Sequence, residues 1–220
     1  MSASATRGLR DAPPRDLGRG ATPLHFTTGA PPGGRVTLAA SAGMDDDAPV
    51  AQWLEVARGL LGEGDDQRTL ARANRAINQA LTLAPDHPVA WLVKCQISSA
   101  RGDDVAALAA AETALGHAPG SAEAHYWRGA LLGDLGHGEA GLRAIEQAFA
   151  CLGPDDEWLL EDLYFEKATM LEARGDHELA NATFEAGLAR CPTSSLLRAG
   201  LEPIRPRRAP SLKLLRGGLQ

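Results

Sequence analysis

Residues 88–121 read PVAWLVKCQISSARGDDVAALAAAETALGHAPGS, and residues 122–155 read AEAHYWRGALLGDLGHGEAGLRAIEQAFACLGPD. Laid one above the other, the two 34-residue stretches set Gly102 over Gly136, Ala107 over Gly141, Ala111 over Ile145 and Ala114 over Ala148. The register runs back to Ala73, Ile77 and Ala80, and forward, after a 39-residue step, to Gly175, Ala180, Phe184 and Gly187. Pro85, Pro119, Pro154 and Pro192 close the units, and the five extra residues fall between Cys151 and Glu161. Small and large apolar residues spaced by three, four and seven share one face of a helix. A Gly between two such runs ends the first helix and a Pro ends the second. Each unit therefore predicts two antiparallel helices of about 14 residues. One such pair cannot bury its apolar stripe alone, so stacking must supply the core and produces a curved solenoid.

These positions carry a resemblance to the tetratricopeptide-repeat family: a small residue eight places in, a turn Gly, two Ala seven apart with a large apolar residue between, then Pro. The second unit (88–121) offers Trp91, Cys95, Gly102, Ala107, Ala114 and Pro119. The third (122–155) offers His125, Gly129, Gly136, Gly141 and Ala148, with Pro154 one place late. The fourth (161–194) offers Tyr164, Ala168, Gly175, Ala180, Phe184 and Pro192. A first unit (54–87) keeps Ala73, Ile77, Ala80 and Pro85 but has Arg68 where the turn Gly belongs, and so reads as degenerate. Lys94, Arg128 and Lys167 replace the family's Leu before the small position, and Ser98, Leu132 and Leu171 its second aromatic. The basic side chains are expected to lay their methylenes on the helix interface and send the charge outward. The resemblance implies an all-α, right-handed α-solenoid over residues 48–201, with an end helix at 195–201 stopped by Pro203. Asp103 and Asp176 are expected to cap second helices, and Ala80, Ala114 and Ala148 to sit where helix backbones come closest.

Composition agrees with this and excludes other classes. Of 220 residues only 10 are aromatic (4 Trp, 2 Tyr, 4 Phe), so the interior must be built largely from Ala and Leu, which favours close-packed helices. Three cysteines make no closed disulfide framework, and no apolar run approaches the roughly 18 residues of a membrane span. Residues 1–47, rich in Gly, Pro and Ala, read as a disordered head. Its abrupt change of composition at Met44 makes that residue an alternative start. The apolar stretch from Val36 to Ala40 is too short for a secretory signal, so the expected compartment is the cytoplasm. Nineteen of the 22 basic residues are Arg, a habit of GC-rich bacterial genomes. Residues 44–195 carry eleven basic and twenty-five acidic side chains, whereas the tail, residues 202–220, is basic. An acidic body argues against nucleic-acid binding, which needs a basic face.

A search for chemistry gives little. His87, His117, His137 and His177 fall in expected turns, His125 takes the repeat's aromatic position, and no His belongs to an HExxH or a Cys/His zinc spacing. Cys95 sits at the small buried position, and Cys151 and Cys191 at repeat ends, without an evident activating partner. The acidic clusters lack the calcium-loop pattern and precede helices, where capping accounts for them. No catalytic, metal or cofactor residues are expected, and the chain reads as non-catalytic.

What remains is the inner face. The resemblance implies that a ligand lies on first-helix positions, here Val89, Leu92, Val93 and Gln96; Glu123, Tyr126, Trp127, Ala130 and Asp134; and Asp162, Phe165, Glu166 and Thr169. Tyr126, Trp127 and Phe165 are equally readable as helix-packing residues. The family members that clamp a terminal carboxylate use Lys, Asn and Arg at places occupied here by Leu92, Gln96, Trp127, Asp162 and Glu166. Two acids in place of bases repel such a tail. The expected partner is a protein or peptide segment with apolar anchors and basic flanks, bound by an adaptor or scaffold. The chain's own basic tail has that chemistry, so self-docking is one candidate. The alternatives are a bacterial secretion-type chaperone for apolar client segments and an accessory or regulatory subunit of an enzyme complex.

Overall fold

The computed structural model describes residues 48–201. These form α1 (Ala48–Glu63), α2 (Gln67–Leu83), α3 (Pro88–Ala100), α4 (Asp104–His117), α5 (Ala122–Asp134), α6 (Gly138–Cys151), a 3-10 turn at Glu157–Leu159, α7 (Leu160–Arg174), α8 (His177–Arg190) and α9 (Ser195–Leu201). Among the described residues there is no strand, and no helix is long and apolar enough to cross a membrane. The expected head, 1–47, and tail, 202–220, lie outside the described residues.

The 34-residue register becomes a seam of helix crossings. Ala73, Ala80, Ala107, Ala114, Ala148 and Ala180 are fully buried on the second helices, with Ile77, Ala111, Ile145 and Phe184 between them. Small residues let backbones approach, and the α5–α6 crossing shows how closely. A Cβ added at Gly129 would stand 2.6 Å from Ile145 Cδ1, and one at Gly141 would stand 2.9 Å from the Gly129 carbonyl oxygen.

Three of the turns inside pairs are copies of one another. Gly102, Gly136 and Gly175 have φ of 74°, 82° and 94°, the left-handed region that only Gly enters without strain. The next residue's N–H reaches back to the carbonyl of Ser98, Leu132 or Leu171, at 3.0, 2.8 and 2.9 Å. Those three residues are the ones that depart from the family's second aromatic.

The joints between pairs also repeat. Six residues after a Pro, a side-chain nitrogen bonds that proline's carbonyl: Trp91 Nε1 to Pro85 at 2.7 Å, His125 Nε2 to Pro119 at 2.9 Å, Arg198 Nη2 to Pro192 at 3.0 Å. Two residues after each of these prolines stands the helix N-cap, His87, Ser121 and Ser194, each side chain accepting a backbone N–H. The joint at Pro154 differs because it holds the five inserted residues. There Asp156 Oδ2 accepts the Gly153 N–H at 2.9 Å and the 3-10 turn follows.

Three expectations are corrected. The first unit is a full helix pair, not a degenerate one: its turn lies at Gly64, and Arg68 is inside α2. Trp53, Ala57 and Gly64 are spaced as Trp91, Cys95 and Gly102 are, 38 residues earlier. The four extra residues fall after Gly64, and α2 runs 17 residues where α4, α6 and α8 run 14. Asp103 caps α4 as expected, accepting the Ala106 N–H at 3.1 Å. Asp176 makes no such bond, because its carboxylate is taken by Arg174. Finally, Lys94 does not send its charge to water. Its Nζ donates to Asn74 Oδ1 at 2.6 Å and Asn78 Oδ1 at 2.9 Å on α2, and burial holds its pKa below the usual lysine value.

Candidate functional site

Successive first helices touch, α1 with α3, α5 with α7 and α7 with α9, whereas second helices make no comparable contact with one another. In a stacked array the row with the closer approach lies on the inside of the curve. The odd-numbered helices therefore form the inner wall.

Their exposed edge is polar and mostly acidic. Asp134 is exposed, and Glu123, Tyr126, Asp162, Phe165, Glu166 and Thr169 are half-buried. Glu123, Asp134, Asp162 and Glu166 all act on the Tyr126 hydroxyl, whose pKa is pushed well up by burial first and by Glu166, Asp162, Asp134 and Glu123 in turn. Neighbouring acids hinder their ionisation. Glu166 is raised to about 7 by burial, then by Asp134 and Asp162. Asp162 is raised to about 6 by burial, then by Glu161, and Asp134 is raised by burial, then by Asp104. Among the described residues no salt bridge neutralises Asp134, Asp162 or Glu166. Such a cluster can accept cationic groups, since a nearby positive charge relieves both repulsion and desolvation.

Glu123 is treated differently. Burial raises its pKa, but the charge of Arg58 and a hydrogen bond with the Trp127 side chain oppose that, and Gln96 Nε2 donates to its Oε1 at 3.0 Å. Arg58 is absent from the expected groove because the first unit (54–87), read as degenerate, supplied no groove position. The 38-residue offset that sets Gly64 on Gly102 sets Arg58 on Gln96, and that offset is present in the sequence.

The expected groove residues divide in two. Val89, Gln96, Glu123, Tyr126, Asp134, Asp162, Phe165, Glu166 and Thr169 retain solvent-facing surface. Leu92, Val93, Trp127 and Ala130 are buried, with Trp127 only 2% exposed, and belong to the packing between helices. They sit at the margin of the apolar stripe, where burial against a neighbouring helix, worth about 25 cal/mol per Å², outweighs facing water. Phe165 also leans inward, its ring 6.2 Å from that of Phe184.

Elsewhere the chemistry is quiet. Cys95 is fully buried, and burial pushes its thiol pKa far up, which makes it a packing residue. Among the described residues no group of His, Cys, Asp and Glu is arranged to hold a metal ion. A cleft of about 410 Å³ at the inserted joint, lined by Phe149, Leu152, Pro154, Tyr164 and Arg190 among others, shares no residue with the acidic cluster.

Stacked antiparallel helix pairs with a shared inner wall define a helical-repeat protein. The chain has the tetratricopeptide-repeat fold, as solved structures bear out. A crystal structure of MamA protein matches with a TM-score of 0.57 at 18% identity, over 70% of this chain and 79% of that one. Pseudomonas aeruginosa pilF matches with a TM-score of 0.62 at 14% identity, over 71% of this chain and 67% of that one. A thermophilic TPR protein of Thermus thermophilus, TTC0263, matches with a TM-score of 0.58 at 19% identity, over 68% of this chain and 78% of that one. No protein-family model and no curated protein matches the sequence.

Proposed function

We propose that this protein is a non-catalytic adaptor that binds a partner segment with apolar anchors and basic residues along the α5–α7 inner wall. The observation that carries the reading is the group Asp134, Asp162 and Glu166, half-desolvated around Tyr126 and without a cationic partner among the described residues. A fold that keeps unpaired acids together accepts a standing cost, and a bound cation removes it. Phe165 and the Tyr126 ring edge supply apolar contact beside the charge, and the buried Trp127 supports Tyr126 edge-on at 5.8 Å between ring centroids.

Fluorescence polarisation of the full chain against a panel of basic-apolar and acidic-apolar peptides tests this. Basic peptides bind, more weakly as salt rises, and the pair D162K/E166K loses binding while retaining its helical circular dichroism. Binding that is indifferent to both salt and this pair of changes would sink the reading.

A further inference from the structure

The last described helix fixes where the chain goes next. α9 follows Pro192 as α3 follows Pro85, and Arg198 takes the place of Trp91 at the joint, so α9 is the first helix of a fifth unit. Its seat is tight. A Cβ at Gly200 would run into the Phe184 ring, one at Gly187 would stand 2.9 Å from Leu197 Cδ1, and Ser194 Oγ donates to Glu161 at 2.7 Å. In the 34-residue register Leu201 corresponds to Lys167, near the middle of α7. Leu201, the last described residue, therefore lies level with Glu166 and Thr169, on the row of helices that forms the inner wall, packed with Phe165 against the same core cluster.

The sequence that follows has one acid, Glu202, then Arg205, Arg207 and Arg208, with Lys213 and Arg216 among leucines further on. At about 3.3 Å per extended residue, Arg205 to Arg208 lie within roughly 13 to 23 Å of chain from Leu201. Adjacent helix axes are about 10 Å apart, so these arginines have the reach to meet the acids of α7 and α5.

We infer that the acidic inner wall has a resident occupant, the segment 204–216 of this same chain, with its arginines set against Asp162, Glu166 and Asp134. This rests on the groove reading above. The observations behind it are charge complementarity, the fixed exit beside the cluster, and the sequence distance to the first arginines. A tethered segment acts at an effective concentration of the order of millimolar, so an outside ligand has to displace it.

The test uses the full chain and a fluorescein-labelled peptide of residues 204–220. Reversing the tail charges, R205E/R207E/R208E, vacates the wall without touching a described helix, and the labelled peptide then binds about tenfold or more tightly than to the unmodified chain. Adding D162K/E166K to that variant abolishes the binding. Equal affinity of the reversed and unmodified chains for the peptide overturns the inference. So does a ratio that changes when the protein is diluted, which assigns the tail to a neighbouring copy. If the reversed and unmodified chains bind other basic-apolar peptides equally but neither binds 204–220, self-docking falls and the groove reading stands. If no basic-apolar peptide binds either chain, both fall together.

Discussion

Two sets of carboxylates in this array stand in contrast. Where α6 meets α7 they are paired: Glu139 accepts from Arg174 Nη1 at 2.9 Å, Asp176 also engages Arg174, and Glu146 stands 3.5 Å from Lys167 Nζ. On the inner wall Asp134, Asp162 and Glu166 have one another and a tyrosine for company. The chain is not short of cations, since 22 of its residues are Lys or Arg. Pairing has been distributed unevenly, and the difference separates carboxylates that finish the surface from carboxylates held ready for something else.

Four measurements put that contrast to the test. The largest effect separates the wall from its backing. Trp127→Ala empties a core position and costs about 3–5 kcal/mol in urea unfolding. Tyr126→Ala costs far less stability but weakens basic-peptide binding. Equal losses of stability would mean that Tyr126 is also backing. Next, Gly141→Ala drives a methyl toward the Gly129 carbonyl and Met170. It costs about 1–3 kcal/mol and, by shifting α5 against its neighbours, alters the titration of the inner acids, which carboxylate NMR can follow.

The third measurement is pH dependence. Glu166 is raised to about 7 from an ordinary 4.5, so between those values the folded state holds a proton that the unfolded chain has released. Stability therefore falls as pH rises through that window, and Glu166→Gln flattens the slope. A bound cationic segment reverses the preference, so peptide affinity falls as pH drops through about 7 and about 6, where Glu166 and Asp162 take up protons. A slope unchanged in the Gln variant would deny the inner acids their special status. The smallest effect belongs to the paired set: Glu139→Gln leaves Tm within about 1 °C, because exposed ion pairs contribute little.

The seam is legible in the sequence because helix crossings demand small residues, and Ala and Gly cannot hide at 34-residue spacing. Gly102, Gly136 and Gly175 are legible for the same reason, each turn requiring a conformation that other residues resist. The first unit misleads because an inserted turn in α2 preserves the apolar stripe while moving everything before it. Trp53 and Gly64 carry the true register, with Gly64 four places before Arg68. Of the site, the acids are visible by position, but which aromatic faces outward is not. Tyr126 and Trp127 are neighbours at equally plausible helix positions, and the tie is broken by packing that periodicity does not encode. The fate of Lys94 is equally hidden, since Asn74 and Asn78 become its partners only when α2 and α3 are side by side.

The joints carry a lesson about interchangeable parts. An indole, an imidazole and a guanidinium each perform the same task six residues after a proline, donating one N–H to its carbonyl. What the joint demands is a donor of a certain reach, and the aromatic ring that usually advertises the position is only one way of supplying it. Repeats recognised by their aromatics alone will be undercounted, since an arginine can hold a first helix in place as Arg198 does for α9 here.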